Sequence, residues 1–238
     1  MARITFRRLL LSLLLAVFLT AFRQSANAIT IGPTPLIPGG TVSPGLVSSE
    51  PGKLLSSHTV RALGIVFTSA VFRNAGGTLD FYYQLSNASS VSSLTGFFSN
   101  PLTFGGLNTS VGYRTDGNSV LPGIFSFTGP VIEVPGVFAD GTIGASSAFR
   151  SGDGDVVGFN LAMGLTPGES SYVLVISTDT TSFQDQGMHI AGTSAEILAY
   201  GPQQRSPLPD SGTTLLLLGS TLMPLLLLQR RLTRIRIT

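Results

Sequence analysis

The residues that could do chemistry in this chain are few and scattered. Cysteine is absent and there are two histidines, His58 and His189. Neither sits in a His-x-x-x-His or Glu-x-x-His spacing, so no zinc site is legible. His58 in Ser-Ser-His-Thr and His189 in Gly-Met-His-Ile read as surface or strand-end residues. Serine is plentiful, yet no Gly-x-Ser-x-Gly elbow occurs, and a Ser-His-Asp triad would have to assemble through the fold. Glycoside cleavage needs two carboxyl groups about 5–10 Å apart. Glu133, Glu169 and Glu196 are available for that, although Glu169 lies in a turn sequence, Thr-Pro-Gly-Glu-Ser. Sugar stacking would fall to Tyr82, Tyr113, Tyr172 and Tyr200, because tryptophan is absent. Asp153-Gly154-Asp155 places two hard oxygen ligands in a Gly-rich turn, the chemistry of a Ca²⁺ site. The remaining ligands of an EF-hand loop are missing, and a plain turn explains the residues equally well.

The elements that would have to position these groups are strands. With 28 Gly and 14 Pro in 238 residues, the chain is too rich in breakers for a helical bundle. Thr78 to Ser86 alternates strictly, with Leu79, Phe81, Tyr83 and Leu85 on one face, which predicts a half-buried antiparallel strand. Val157, Phe159, Leu161 and Met163 repeat the pattern. Tyr172 to Ile176 is continuously apolar, as expected of a central strand covered on both sides. Further strands are expected at Val60–Arg73, Gly96–Phe104, Thr109–Arg114, Val131–Val134, Gly144–Arg150 and Ile190–Tyr200. Turns at Asn74–Gly77, Asp116–Asn118, Gly152–Gly154 and Pro167-Gly168 separate them. The fold class is all-β: an antiparallel β-sandwich of jelly-roll or immunoglobulin-like kind over residues 58–202. Residues 29–57, with Pro33, Pro35, Pro38, Pro44 and Pro51, read as an extended Pro/Gly-rich leader.

Charge divides the chain differently. All 12 acidic residues fall between Glu50 and Asp210, where the only basic residues are Lys53, Arg61, Arg73, Arg114, Arg150 and Arg205. The middle is acidic, so the clustered Lys/Arg face of a nucleic-acid binder is excluded. The positive charge lies at the two ends.

Arg3, Arg7 and Arg8 precede an uncharged run from Leu9 to Phe22, and Ala26-Asn27-Ala28 supplies a small-x-small cleavage pattern. Fourteen residues rise about 21 Å as a helix, short of a ~30 Å hydrocarbon core. Residues 1–28 are therefore expected to form a signal helix that signal peptidase removes after Ala28. Export also makes the missing cysteines informative, since the domain must stand on its core alone.

The other end, residues 203–238, has three parts. Leu208-Pro209-Asp210-Ser211-Gly212 is followed by an uncharged run, Thr213 to Leu228, and then by Gln229-Arg230-Arg231. The run is near the minimum for a membrane-spanning helix, and Arg230 and Arg231 act as a cytoplasmic stop. This tail resembles the VPDSG-type and PEP-type C-terminal sorting signals read by exosortases, with Leu208 in place of Val. Its pentapeptide also looks like the LPxTG signal of sortases, with Ser211 where Thr is expected. Gly77–Gln84, Arg150-Ser151-Gly152 with Val157–Phe159, and Pro167–Ser171 with Val173–Ile176 are similar to the β-rich region often found upstream of such tails. The resemblance implies an exported, non-enzymatic envelope or matrix protein. It would pass through an inner-membrane intermediate, be processed by an exosortase-like enzyme, and then reach the cell surface or exterior, with exopolysaccharide as a possible partner. A secreted glycan-active enzyme is the alternative from a different class. No cofactor is expected beyond the Ca²⁺ considered for Asp153 and Asp155.

Overall fold

A computed structural model describes residues 32–88, 93–122 and 133–203 of the chain. Ala26, Ala28, Leu208–Gly212, the 213–228 run, Arg230 and Arg231 lie outside these residues, as does the first half of the expected strand at Val131–Val134. Two sheets face one another. The first has the spatial order β1 (Thr34–Pro35), β8 (Thr109–Arg114), β12 (Val173–Thr178), β6 (Leu79–Asn87), β5 (Ile65–Arg73), β4 (Lys53–Ala62) and β9 (Glu133–Val134), with β3 (Gly45–Leu46) also on β8. The second runs β14 (Glu196–Pro202), β13 (Phe183–Ala191), β7 (Leu94–Ser99), β11 (Val157–Leu165), β10 (Ala145–Arg150) and β2 (Thr41–Val42). Pairing is antiparallel except between β3 and β8. One helical turn, α1 (Gly117–Val120), completes the described elements.

Between the sheets lies the main core. Leu79, Phe81, Tyr83 and Leu85 of β6 and Ile65, Phe67 and Val71 of β5 meet Phe97, Phe159, Met188, Ile190, Ile197 and Ala199 from the other sheet. Phe97 sits at its centre, edge-on to Phe67 at 5.1 Å and tilted against Phe159 at 5.5 Å.

Several expectations are corrected here. The alternation in β6 predicts one wet face, yet Tyr82 and Gln84 are also buried. A second core covers that face, built from Ala70, Phe72, Tyr82, Val173 and Val175 under Val47, Val120 and Phe138. Its lid is held by Gln84, whose Nε2 donates to Ala139 O (2.7 Å) and Ser171 O (2.9 Å) while its Oε1 accepts from Ala139 N (2.8 Å). Met163 leaves the inward row and is 79% exposed. The β11–β7 register slips between Asn160 and Leu165, so the period of two breaks before Met163 is reached. The expected strands Val60–Arg73 and Ile190–Tyr200 are each broken by a hairpin turn, at Leu63-Gly64 and between Ala191 and Glu196.

From Gly32 onward the Pro/Gly-rich leader is part of the sandwich. Leu36 and Val47 are buried, β1 and β3 pair with β8, and β2 closes the edge at β10. Two arginines fasten it. Arg114 donates to Ser49 O and forks onto Asp116 (3.0 and 2.8 Å). Arg150 donates to Leu36 O (3.3 Å), Thr109 Oγ1 (3.0 Å), Phe104 O (2.9 Å), Leu107 O (2.9 Å) and Gly154 O (2.8 Å). Five acceptors without a carboxylate satisfy a buried guanidinium and gather three loops around it.

Candidate functional site

The two sheets differ in width, and the mismatch makes a cleft. His58, Val60 and Ala62 of β4 stand opposite Ser69, Phe67 and Ile65 of β5, so they share the inward face of the larger sheet. Over this stretch the smaller sheet ends at β14, which among the described residues has a strand neighbour only in β13. Beyond β14 the inward face of β4 is overhung. A cavity of about 280 Å³ opens there, lined by His58, Val60, Ala62, Asp185, Glu196, Ile197 and Leu198.

Tyr200 closes one end. Its ring stacks on His58 at 4.2 Å and meets Phe183 edge-on at 5.4 Å, while its hydroxyl accepts from Ser56 Oγ at 2.8 Å. The backbone of Tyr200 turns away from β13 and is taken up by the larger sheet. Its N–H donates to Ser69 Oγ (3.2 Å), and its C=O accepts from Tyr83 Oη (2.6 Å). The ladder alternates, as antiparallel pairing requires. Ile190 N donates to Ala195 O and Gln203 N to Ser182 O, so odd-numbered residues of β14 bond to β13. Glu196 and Leu198, like Tyr200, direct N–H and C=O outward along the cleft.

The charged groups lining the cleft are both carboxylates, Asp185 and Glu196. Glu196 crosses over Gly187 to accept from Asn100 Nδ2 at 2.8 Å. A Cβ at Gly187 would fall 2.1 Å from Glu196 Oε1, so only glycine lets the carboxylate cross β13 there. Arg61 belongs to the opposite face of β4 by alternation. The cleft offers backbone donors and acceptors, an apolar floor and negative charge. That suits binding. Among the described residues, no group of three His, Asp or Glu side chains could hold a metal ion.

The chain matches no protein-family model, no curated protein and no solved structure.

The residues singled out from sequence are dispersed. Asp153 Oδ1 accepts from Ser151 Oγ and from Asp155 N (3.1 Å), so it caps its own turn, and these bonds hold its pKa below the usual carboxylate value. The Asp155 carboxylate lies against Gly105. Glu169 is exposed and accepts from Thr166 N (2.7 Å) and Oγ1 (2.8 Å), bonds that lower its pKa. Glu133 stands in β9. Glu196 lines the cleft. His189 stacks on Phe98 at 5.1 Å. His58 is buried in mid-strand, where the reading of a surface residue fails because the overhanging sheet covers it. Of the tyrosines, Tyr82 is buried and Tyr113 stacks on Tyr172 at 5.5 Å, so each already has a partner. Sequence reasoning missed Asp185. Its segment, Phe183–Gly187, alternates too weakly to announce a strand.

Proposed function

We propose that this chain is an exported, surface-sorted and non-enzymatic β-sandwich of the envelope or extracellular matrix, handed over by an exosortase-like enzyme that reads its tail. One observation carries the reading. Leu208-Pro209-Asp210-Ser211-Gly212 runs straight into sixteen uncharged residues ending at Leu228, then into Arg230-Arg231. Such a run is only marginally long enough to span, and the arginines stop it, which suits a transient anchor better than a permanent one. The strand succession supports a jelly-roll kind of sandwich, because the chain repeatedly changes sheet: β6 in one, β7 in the other, β8 back in the first. The acidic, cysteine-free middle is compatible with life outside the cell, with exopolysaccharide as a candidate neighbour.

The test is fractionation of wild type, Pro209→Ala and Asp210→Ala in the native host, using one antibody against the sandwich and one against a C-terminal tag. Processing predicts that the wild-type sandwich loses the tag and that both variants keep it in the inner membrane. Co-migration of the two epitopes in mature wild-type protein overturns the reading and leaves a plain membrane anchor.

A further inference from the structure

We propose that the open edge of β14 receives an extended peptide strand from a partner protein, with basic and apolar side chains in alternation. This proposal rests on the cleft and is independent of how the tail is processed. At the edge, the N–H and C=O groups of Glu196 and Leu198 point away from β13, the requirement for adding a strand. Beneath it, Val60 and Ala62 of β4 form a half-buried floor that the smaller sheet covers only in part. A seventh strand beside β14 fills this overhang.

Alternation then dictates the guest. Residues paired with Glu196 and Leu198 share their outer face, where Asp185 lines the cleft and the Glu196 carboxylate, drawn across β13 to Asn100, adds to the negative field, so these positions take Lys or Arg. Intervening residues point down onto Val60 and Ala62 and must be apolar. Length is limited as well. The Tyr200 backbone is already bonded to Ser69 and Tyr83, so the guest strand stops there. The exposed Leu198 side chain gains a neighbour on its own face when the strand docks.

The probe is a fluorescein-labelled Lys-Val-Lys-Val-Lys peptide, titrated against the full 238-residue chain in dodecyl maltoside and followed by anisotropy. A Glu-Val-Glu-Val-Glu peptide is the control. The basic peptide should bind at least about tenfold tighter, as expected when like charge is set against like. Leu198→Pro deletes an outward N–H without touching the β13 ladder, a position where an edge strand accepts proline. It should abolish binding. Asp185→Asn with Glu196→Gln keeps shape and acceptors and should weaken binding by about fivefold, the scale of partly exposed charge pairs. Hydrogen exchange at the Leu198 amide should slow on adding peptide. Equal affinity for both peptides, full binding by Leu198→Pro, or an unprotected Leu198 amide at saturation each overturns the proposal. Protection that grows with protein concentration and without peptide also overturns it, assigning the edge to a second copy of this chain.

Discussion

Gln84 and Ala139 exchange two hydrogen bonds, so one side chain imitates a strand neighbour for a loop that has none. The outer core depends on this, because Phe138 next to Ala139 is the residue that closes it. Gln84→Leu keeps the volume and removes the pairing. It leaves Ala139 N–H, Ala139 C=O and Ser171 C=O short of partners, which costs about 2–4 kcal/mol. Urea unfolding should show that loss, and the Ala139 amide should exchange rapidly while the inter-sheet core stays protected.

Arg150→Lys keeps the charge and loses the fork. An ammonium has three donors where the guanidinium uses its array to reach five acceptors. Burial already pulls the Arg150 pKa below its usual value, opposed by Asp155 and Asp179. The substitution should cost about 2–4 kcal/mol in urea unfolding, through carbonyls left unpaired. Limited proteolysis should then cut first near Leu36 or in the 104–107 loop.

Asp80 has its pKa raised above 3.8, chiefly by burial, against hydrogen bonds from Ser177 and Asn74 that pull it down. A raised folded pKa means the folded state holds the proton more tightly. Its stabilising contribution is complete below 3.8 and is lost as pH rises through the folded value. Asp80→Asn, which can still accept from Asn74, should therefore raise Tm at pH 7, and the gain should shrink as pH falls toward 3.8. Asp116 behaves in the opposite sense: the hydrogen bond from Arg114 lowers its pKa, and its contribution is lost as pH falls. Thermal unfolding of wild type and Asp80→Asn from pH 3 to 8 separates the two.

Leu63 occupies the first position of the two-residue β4–β5 turn with φ 50°, followed by Gly64 at 76°. Such turns want Asn-Gly. A left-handed conformation costs a residue like leucine about 1–2 kcal/mol, and its side chain is 75% exposed and gains little in return. Leu63→Asn should raise Tm by about 2–4 °C, measured by calorimetry.

The same turn shows where sequence legibility ended. Val60 to Arg73 is apolar enough on both sides of Leu63-Gly64 that the break does not announce itself, and leucine is the wrong residue for it. Thr109–Arg114 emerges with its expected bounds, and Tyr172–Ile176 is indeed central, because local pattern and final environment agree there. In the leader, proline and glycine report an extended backbone habit, whereas its docking on the sandwich rests on Leu36 and Val47, whose burial no local pattern announces. For the cleft, Glu196 was visible as an acid. Its meeting with His58 and Asp185 depends on one sheet outreaching the other, which no local spacing encodes.

The Tyr200 clamp has a mechanical consequence. Any pull through the chain beyond Gln203 enters the sandwich at the end of an edge strand, where ladder bonds would open singly like a zip. The first in line is Gln203 to Ser182. Three residues further back the load meets Tyr200, held by Ser69 and Tyr83 of the opposite sheet. Peeling stops being a matter of one sheet at that point, and tension is shared across both.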